Sequence, residues 1–152
     1  EEAKHEQGFF NHIHGSADWV HVCYLDDYEP YRELENLNVP FSVDFCTTNN
    51  REPFLKVMKK AEIIFDSRER KNLYNGISVD TKLILHDEFG IEIIQNGEIV
   101  ATIDNNPISG LSVNGAGDLF AGNFIKHYGS SGATIASLNS MEETTNLLLK
   151  RK

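Results

Sequence analysis

Two glycines and an aspartate in one short segment form the pattern in this sequence that is best suited to chemistry. Residues 112–118 read SVNGAGD and continue into an apolar helical pattern. Gly115 and Gly117 permit backbone conformations and close approaches that other residues resist. The first amides of a helix have no intrahelical acceptor, and the helix dipole is positive there. The segment therefore predicts an anion-binding turn with Asp118 in the first helical turn after it.

This segment matches neither of the two commonest nucleotide-binding patterns. No Gly-Lys-Ser/Thr follows, which excludes a Walker P-loop, and the spacing of Gly115, Gly117 and Gly122 is not that of the dinucleotide fingerprint. Spacing alone leaves a second interpretation open. In that interpretation, Gly-Ala-Gly is only a tight turn and Asp118 is only a favourable acid at a helix start.

Length and composition predict a single α/β domain over residues 1–152. The chain is 40% hydrophobic and 24% charged, which is typical of a globular protein. Its formal net charge of −9 argues against a nucleic-acid-binding surface and against docking on anionic lipid. No apolar run approaches the roughly 20 residues of a membrane helix. We therefore expect neither nucleic acid nor membrane among its partners.

Cysteine and histidine usage adds no metal or disulfide site. Cys23 and Cys46 are too few for a disulfide scaffold and too isolated for a zinc site. Four of the six histidines lie within the first 21 residues, but without a recognised ligand spacing. Buried free thiols and the absence of a signal-peptide pattern predict a cytoplasmic protein.

Alternating strand and helix patterns are expected to position the glycine-rich segment. Strands are predicted at 19–25, 41–46, 63–65 and 82–86, and helical patterns between them at 26–37, 54–61 and 68–74. This alternation predicts a mostly parallel sheet with helices on both faces. Right-handed crossovers would bring the carboxyl ends of the strands to one edge, where ligands bind in open α/β sheets.

A hairpin and two helices complete the expected elements. Strands at 91–95 and 98–103 flank Asn96-Gly97, the pair that a type I′ turn prefers, so the hairpin adds a small antiparallel element. A helix is predicted over 116–128. Ser140 and Glu143 fit a capping box, which predicts that a last helix starts at Ser140.

The run from Asn114 to Phe120 resembles the C-terminal signature of the ribokinase-like (PfkB) kinase family, Asp-Thr-x-Gly-Ala-Gly-Asp-x-Phe. Other segments are similar to family segments in the same order, namely 17–22, 42–51, 61–69 and 132–149. The resemblance covers nearly the whole chain and implies a partial ribokinase-like fold. It corresponds to the C-terminal nucleotide-binding half, because the family's Gly-Gly motif, lid strands and most sugar contacts are not seen in this sequence.

The resemblance implies ATP-dependent phosphorylation of a hydroxyl of a sugar or a nucleoside. Asp118 matches the catalytic base, and the backbone amides of Gly115, Ala116 and Gly117 match the anion hole. Glu69 matches the acid that holds Mg²⁺ through water. The implied cofactors are therefore ATP and Mg²⁺.

The resemblance also assigns five residues to the nucleotide site, and several of them depart from the family's pattern. They are Asp66, Ser67, Asp87, Gly90 and Asn114. Asp87 stands where the family has glycine, and a carboxylate there should repel a triphosphate. Asp66 or Ser67 replaces the asparagine of Asn-x-x-Glu. Asn114 stands before Gly-Ala-Gly-Asp as in adenosine-kinase-like members, which keeps a nucleoside substrate open beside a sugar.

Two alternatives follow from these departures. The chain could be a catalytically inactive, kinase-like relic or binding module, or an unrelated flavodoxin-like or Rossmann-like domain. A chain without the N-terminal half should also leave strand 19–25 as an open sheet edge. We therefore expect it to form a homodimer or to associate with the missing N-terminal half.

Overall fold

Six strands form one sheet whose spatial order follows the chain. The computed structural model describes residues 16–24, 29–45, 48–77 and 80–151. The strands are β1 Val20–Cys23, β2 Phe41–Asp44, β3 Ile63–Ser67, β4 Lys82–Asp87, β5 Gly90–Gln95 and β6 Glu98–Asp104. Strands β1 to β4 pair in parallel, and β4, β5 and β6 pair antiparallel. The prediction of a mostly parallel sheet with an antiparallel hairpin is confirmed.

Short helical connections join the parallel strands. A 3₁₀ helix, Glu29–Asn36, leads to β2. The 3₁₀ turn Glu52–Phe54 runs into α1 (Leu55–Lys60), and the 3₁₀ helix Arg68–Tyr74 follows β3. The helix predicted over 68–74 is therefore present in the tighter 3₁₀ form. Inside α1, Val57 and Met58 are buried, as the apolar spacing predicted.

The sheet separates two apolar layers, because successive side chains of a strand point to opposite faces. Ile64 of β3 points to one face of the sheet and packs in the apolar layer that includes side chains of α1 and of the 3₁₀ helix Glu29–Asn36. Its neighbours Ile63 and Phe65 face the opposite layer, where Phe120 and Phe124 pack on the sheet. All of these side chains are at most 5% exposed.

The hairpin between β5 and β6 has the predicted turn. Asn96 and Gly97 both have positive φ, 54° and 78°, as a type I′ turn requires. At the other end of β5, Gly90 has φ 144°, and a Cβ there would lie 2.1 Å from the Ile103 carbonyl oxygen. Gly90 is thus required by the close approach of β6.

The helix α2, Ala116–Leu149, is a helical hairpin, because Gly132 breaks its regular backbone with φ 74° and ψ 171°. We call residues 116–131 the first arm and 133–149 the second arm. Ser140 Oγ donates a hydrogen bond of 2.6 Å to the Phe120 carbonyl, and Asn123 Nδ2 donates one of 3.1 Å to Thr144 Oγ1. These bonds hold the arms side by side.

The prediction of a helix start at Ser140 is wrong. Ser140 lies inside the second arm, which begins just after Gly132. Its hydroxyl bonds to the first arm, and Glu143 contacts Lys126 and His127 of that arm. In a capping box the serine hydroxyl would accept a local backbone N–H, whereas here it donates to a carbonyl of the first arm.

Several features singled out in the sequence lie outside the described residues. They are His5, His12, His14, residues 25–28 and Cys46. Within the described part of the chain, no helix is long and apolar enough to cross a membrane. Cys23 is a free thiol at the end of β1, and burial raises its pKa.

Candidate functional site

The start of α2 lies at the edge of the sheet where the parallel strands end. The first arm runs back along the sheet, because its Tyr128 contacts Trp19 and Lys82 at the amino ends of β1 and β4. The Tyr128 ring centroid is 5.9 Å from that of Trp19 and 5.6 Å from the Lys82 Nζ. At the carboxyl edge, a Cβ added to Gly117 would lie 3.7 Å from Cε1 of His86, near the end of β4. The glycine-rich turn is therefore at the predicted ligand-binding edge.

The turn at residues 115–117 presents free backbone amides. Gly115 has the left-handed backbone conformation, φ 72°, and its carbonyl accepts the Leu119 amide at 3.0 Å. The amides of Gly115, Gly117 and Asp118 donate to no backbone carbonyl in the described chain. The Ala116 amide donates to the Val113 carbonyl at 2.9 Å. Two of the three amides predicted for the anion hole are thus free, and the third is already bonded.

Asp118 lies in the first turn of α2 with an exposed side chain, as predicted. Its Oδ2 would lie 3.9 Å from a Cβ placed on Gly115. Its charge reaches the end of β1, where burial lowers the pKa of His21 and the Asp118 carboxylate partly opposes that effect. The carboxylate is therefore open to a ligand that occupies the carboxyl edge.

A cavity of about 440 Å³ lies beside the turn. This volume is in the range of small-molecule sites, roughly 300–1,000 Å³. One part of its wall is mainly apolar: Ile91, Pro107, Ile108, Leu111, Val113, Phe120, Met141 and Leu148. The rest is polar or backbone: Ser67, Glu69, His86, Asp87, Glu88, Asn105, Ala116, Gly117, Thr144 and Thr145. The cavity thus joins an apolar wall to the free amide of Gly117.

The structure brings three groups of predicted site residues to this cavity. Ser67 ends β3 and Glu69 follows it, Asp87 ends β4, and Ala116 and Gly117 begin α2. These segments are far apart in the sequence, and the parallel pairing of β3 with β4 aligns their ends. Glu69 is exposed in the cavity wall. Carboxylates of this kind suit Mg²⁺, which keeps several waters and is held by one or two protein carboxylates together with phosphates.

Asp87 is held in a charge-compensated turn. Its Oδ1 accepts hydrogen bonds from the Phe89 amide at 2.8 Å and from the Gly90 amide at 3.0 Å. Arg68 Nη1 lies 3.3 Å from the same oxygen. The repulsion expected between Asp87 and a triphosphate is reduced because Arg68 and two amides stabilise the negative charge.

The other predicted nucleotide residues are engaged elsewhere. Asp66 is buried in an ion pair with Arg51 and is not among the residues of the cavity wall. Gly90 lies against β6, as described above. The Asn114 carbonyl accepts a hydrogen bond of 3.0 Å from Arg151, which joins the end of the second arm to the turn.

The sequence places His86 at a strand end, directly before the predicted nucleotide loop, and favours a structural role in a hydrogen bond; the structure places it in the cavity wall. Its ring stacks on Phe120 with centroids 4.5 Å apart, and Phe65 contacts it edge-on at 6.3 Å. Burial lowers the pKa of His86 to about 4.

Comparisons with known proteins show the fold. No protein-family model matches the chain, and no curated protein matches it. Among solved structures, a microbiome-derived acarbose kinase is similar with a TM-score of 0.67 at 15% identity, covering 89% of this chain and 50% of its own. For ribokinase from Thermotoga maritima, the TM-score is 0.61 at 12% identity, with 94% and 51% covered. For adenosine kinase from Anopheles gambiae, it is 0.64 at 13% identity, with 94% and 53% covered.

These likenesses confirm a partial ribokinase-like fold. The chain spans about half the length of each of these three neighbours. The resemblance inferred from the glycine-rich segment and the tertiary structure therefore agree on the fold class.

Proposed function

We propose that this chain is the nucleotide-binding half of a ribokinase-like kinase, which transfers a phosphoryl group from ATP to a hydroxyl of a sugar or nucleoside. One observation carries the proposal. The exposed Asp118 carboxylate and the free Gly117 amide share the start of α2, at the carboxyl edge of the sheet and beside a cavity of about 440 Å³. Support also comes from the fold, since its neighbours include a ribokinase and an adenosine kinase.

The two kinds of cavity wall fit the two parts of a nucleotide. Ile108, Leu111, Met141 and Leu148 offer apolar contact to a flat base. The amide of Gly117 and the positive end of the α2 dipole favour phosphate oxygens. The nucleotide would therefore lie with its base against the second arm and its phosphates towards the turn.

Asp118 supplies the base in this proposal. Its carboxylate would accept the proton of the attacking hydroxyl while that oxygen forms a bond to the γ-phosphorus and the bond to the leaving diphosphate breaks. The amides at the turn would stabilise the negative charge of the transferred group. Mg²⁺ would supply further charge neutralisation on the phosphates, and in this proposal Glu69, exposed in the cavity wall, would hold it through water. Asp118 follows the turn directly in the chain but is not among the residues of the cavity wall, so the acceptor hydroxyl would lie beside the exposed start of α2, outside the nucleotide cavity.

A nucleotide-binding module without turnover is the second candidate. The observations that favour it are the engagement of the Ala116 amide with Val113 and of Asp66 with Arg51. Both would be expected to face the nucleotide in an active kinase of this pattern. The chain also spans only about half the length of these structural neighbours.

Two measurements on the same preparation separate the candidates. Titration calorimetry with Mg·ATP detects nucleotide binding, and a coupled assay detects ADP release with panels of sugars and of nucleosides. Hydroxyl-dependent ADP release supports the kinase and identifies the substrate class. Binding of ATP with no release under any acceptor supports the module. No binding at millimolar ATP contradicts both.

A further inference from the structure

The helical side of the cavity, where the base of a nucleotide would lie, has few groups that can read a base. Four side chains of the second arm line the cavity: Met141, Thr144, Thr145 and Leu148. The backbone groups of this arm are used within the helix, so only its side chains can contact a base. Met141 and Leu148 offer apolar contact, which leaves the two threonine hydroxyls to distinguish one base from another.

These two hydroxyls do not select between the purines. A hydroxyl has one proton and two lone pairs, so it accepts from the 6-amino group of adenine or donates to the 6-carbonyl group of guanine. Thr144 Oγ1 already accepts a hydrogen bond of 3.1 Å from Asn123 Nδ2. The second arm therefore holds a base by apolar contact and adds no purine preference.

The loop before α2 offers no free donor and acceptor on the same wall residue. Its residues in the cavity wall are Pro107, Ile108, Leu111 and Val113. Pro107 has no amide proton, and the Leu111 amide donates to the Ile108 carbonyl at 3.4 Å. The Val113 carbonyl accepts the Ala116 amide at 2.9 Å. Each of the four has one backbone group missing or engaged, so none of them gives a two-point contact to a purine edge.

The polar side chains of the wall do not complete such a contact. Asn105 Nδ2 donates to the Glu88 carbonyl at 3.0 Å, which leaves Oδ1 as a lone acceptor. A lone acceptor serves the 6-amino group of adenine or the 2-amino group of guanine. The Glu88 carboxylate favours the N–H groups of guanine, but it is exposed and gains little by exchanging water for a base.

We propose that this cavity binds adenine and guanine nucleotides alike, so that the phosphoryl donor is a purine nucleoside triphosphate rather than ATP alone. The inference rests on the proposed nucleotide site and adds its base selectivity. Apolar contact depends on ring area, which the two purines share. A site built to hydrogen-bond one ligand rejects an analogue that lacks the matching group by about 10⁴–10⁵-fold, and the described wall holds no such set of groups.

Calorimetry with Mg·ADP, Mg·GDP and Mg·CDP measures this selectivity, because the three ligands share a diphosphate and differ in the base. We expect the dissociation constants of ADP and GDP to agree within about 10-fold, the effect of at most one neutral hydrogen bond. CDP should bind about 3- to 10-fold more weakly, because its smaller ring buries less apolar surface. Equal binding of CDP and the purines would overturn the inference, since the apolar wall would then not hold the base.

A matched pair of substitutions tests the apolar wall itself. Ile108 lies in the wall and is 42% exposed, so its truncation should leave the fold intact. Leu138 on the second arm is 44% exposed and is not a wall residue, which makes Leu138→Ala the control. We expect Ile108→Ala to weaken ADP and GDP binding by the same factor, about 3- to 10-fold, and Leu138→Ala to change neither. A loss confined to one of the two nucleotides would overturn the inference.

Glu88→Gln tests the remaining carboxylate. GDP affinity should change by less than about 10-fold in this variant, and a larger loss for GDP alone would show that the carboxylate reads guanine and would overturn the inference. A wild-type preference above about 10-fold for either purine also overturns it and leaves the proposed function standing. Failure of the wild-type chain to bind ADP, GDP and CDP overturns both.

Discussion

Arg51 and Asp66 form an ion pair in which each side chain is only 1% exposed. Tyr74 completes the group, because its hydroxyl donates to Asp66 Oδ2 at 2.6 Å and accepts from Arg51 Nε at 3.1 Å. The guanidinium also lies 4.4 Å from the centroid of the Phe45 ring. The pair joins the segment before α1 to the end of β3. It therefore sets the position of Ser67 and Glu69 in the cavity wall.

Breaking this ion pair should strongly destabilise the fold. Arg51→Met leaves the buried Asp66 carboxylate with only Arg70 Nη1, 4.0 Å away, as a counter-charge, and the loss of a buried ion-pair partner costs about 3–5 kcal/mol. Urea denaturation measures the free energy of unfolding. Lys56→Met is the control, because Lys56 is 76% exposed and 3.8 Å from Glu35, a geometry worth about 0–1 kcal/mol. Equal losses in the two variants would contradict the structural role assigned to the pair.

Two glycines of α2 should respond to alanine in opposite directions. Gly132 has φ 74° and ψ 171°, a backbone region open essentially to glycine alone, so Gly132→Ala should lose about 1–3 kcal/mol. Gly129 lies in the first arm with no heavy atom within 4 Å of an added Cβ. Gly129→Ala should gain roughly 0.5–1 kcal/mol, because alanine loses less backbone entropy in a helix. Thermal unfolding of both variants measures these two changes. A Gly132→Ala variant as stable as wild type would contradict the prediction.

The free energy of unfolding should decrease in acid, because protonation of His86 favours the unfolded state. The unfolded state binds a proton near pH 6.5, whereas burial lowers the pKa in the folded state to about 4. The contribution of neutral His86 to the free energy of unfolding is therefore complete above pH 6.5. It is lost as the pH falls towards 4, by up to about 3 kcal/mol. Burial shifts the pKa of His21 in the same direction.

The measurement is urea unfolding of wild type and His86→Phe between pH 4 and 8. Carboxylates that titrate in this range are common to both proteins and cancel in the difference. The two curves should diverge as the pH falls, because wild type loses stability through His86 and His86→Phe does not. Parallel curves would show that His86 does not titrate in this way.

If the proposed kinase activity is found, Asp118→Asn should remove most of the turnover. The amide keeps the shape of the side chain and loses its basicity, which is typically worth 10²–10⁴-fold in rate, or about 3–5 kcal/mol. Nucleotide affinity should be nearly unchanged, because the free amides at the turn are not altered. Asp80→Asn is the control, an exposed aspartate just before β4. Unchanged turnover in Asp118→Asn would withdraw the catalytic role from this residue.

Strand β1 should mediate association. Among the described strands, β1 pairs with β2 alone and lies at one edge of the sheet, as predicted. An open edge can accept a further strand, and a lysine on it opposes such pairing. Sedimentation velocity over a wide concentration range should show self-association that Cys23→Lys weakens. Thr102→Lys on β6, at the opposite edge, is the matched control, and a monomeric wild-type chain would contradict the prediction.

Local sequence patterns determined the elements and the place of the turn. Asn96-Gly97 specifies its own turn, because few other residue pairs accept two positive φ values. A helical segment separates the apolar strands around Ile63 and Leu83. A helical crossover of this kind joins strands that run in the same direction, so it implies parallel pairing. Gly115 and Asp118 are close in the chain, so their joint position at a helix start could be read directly from the residues.

Long-range contacts decided what the side chains at the site can do. Asp66 and Asp87 resembled nucleotide-binding residues in the sequence. Arg51 reaches Asp66 only when β2 pairs with β3, and Arg68 reaches Asp87 only when β3 pairs with β4. Ser140 matched a local capping pattern, yet its acceptor is on Phe120, twenty residues away. A sequence pattern reports the backbone preference of neighbouring residues. The partner of a buried polar atom depends on register and packing between segments, and these exist only in the folded chain.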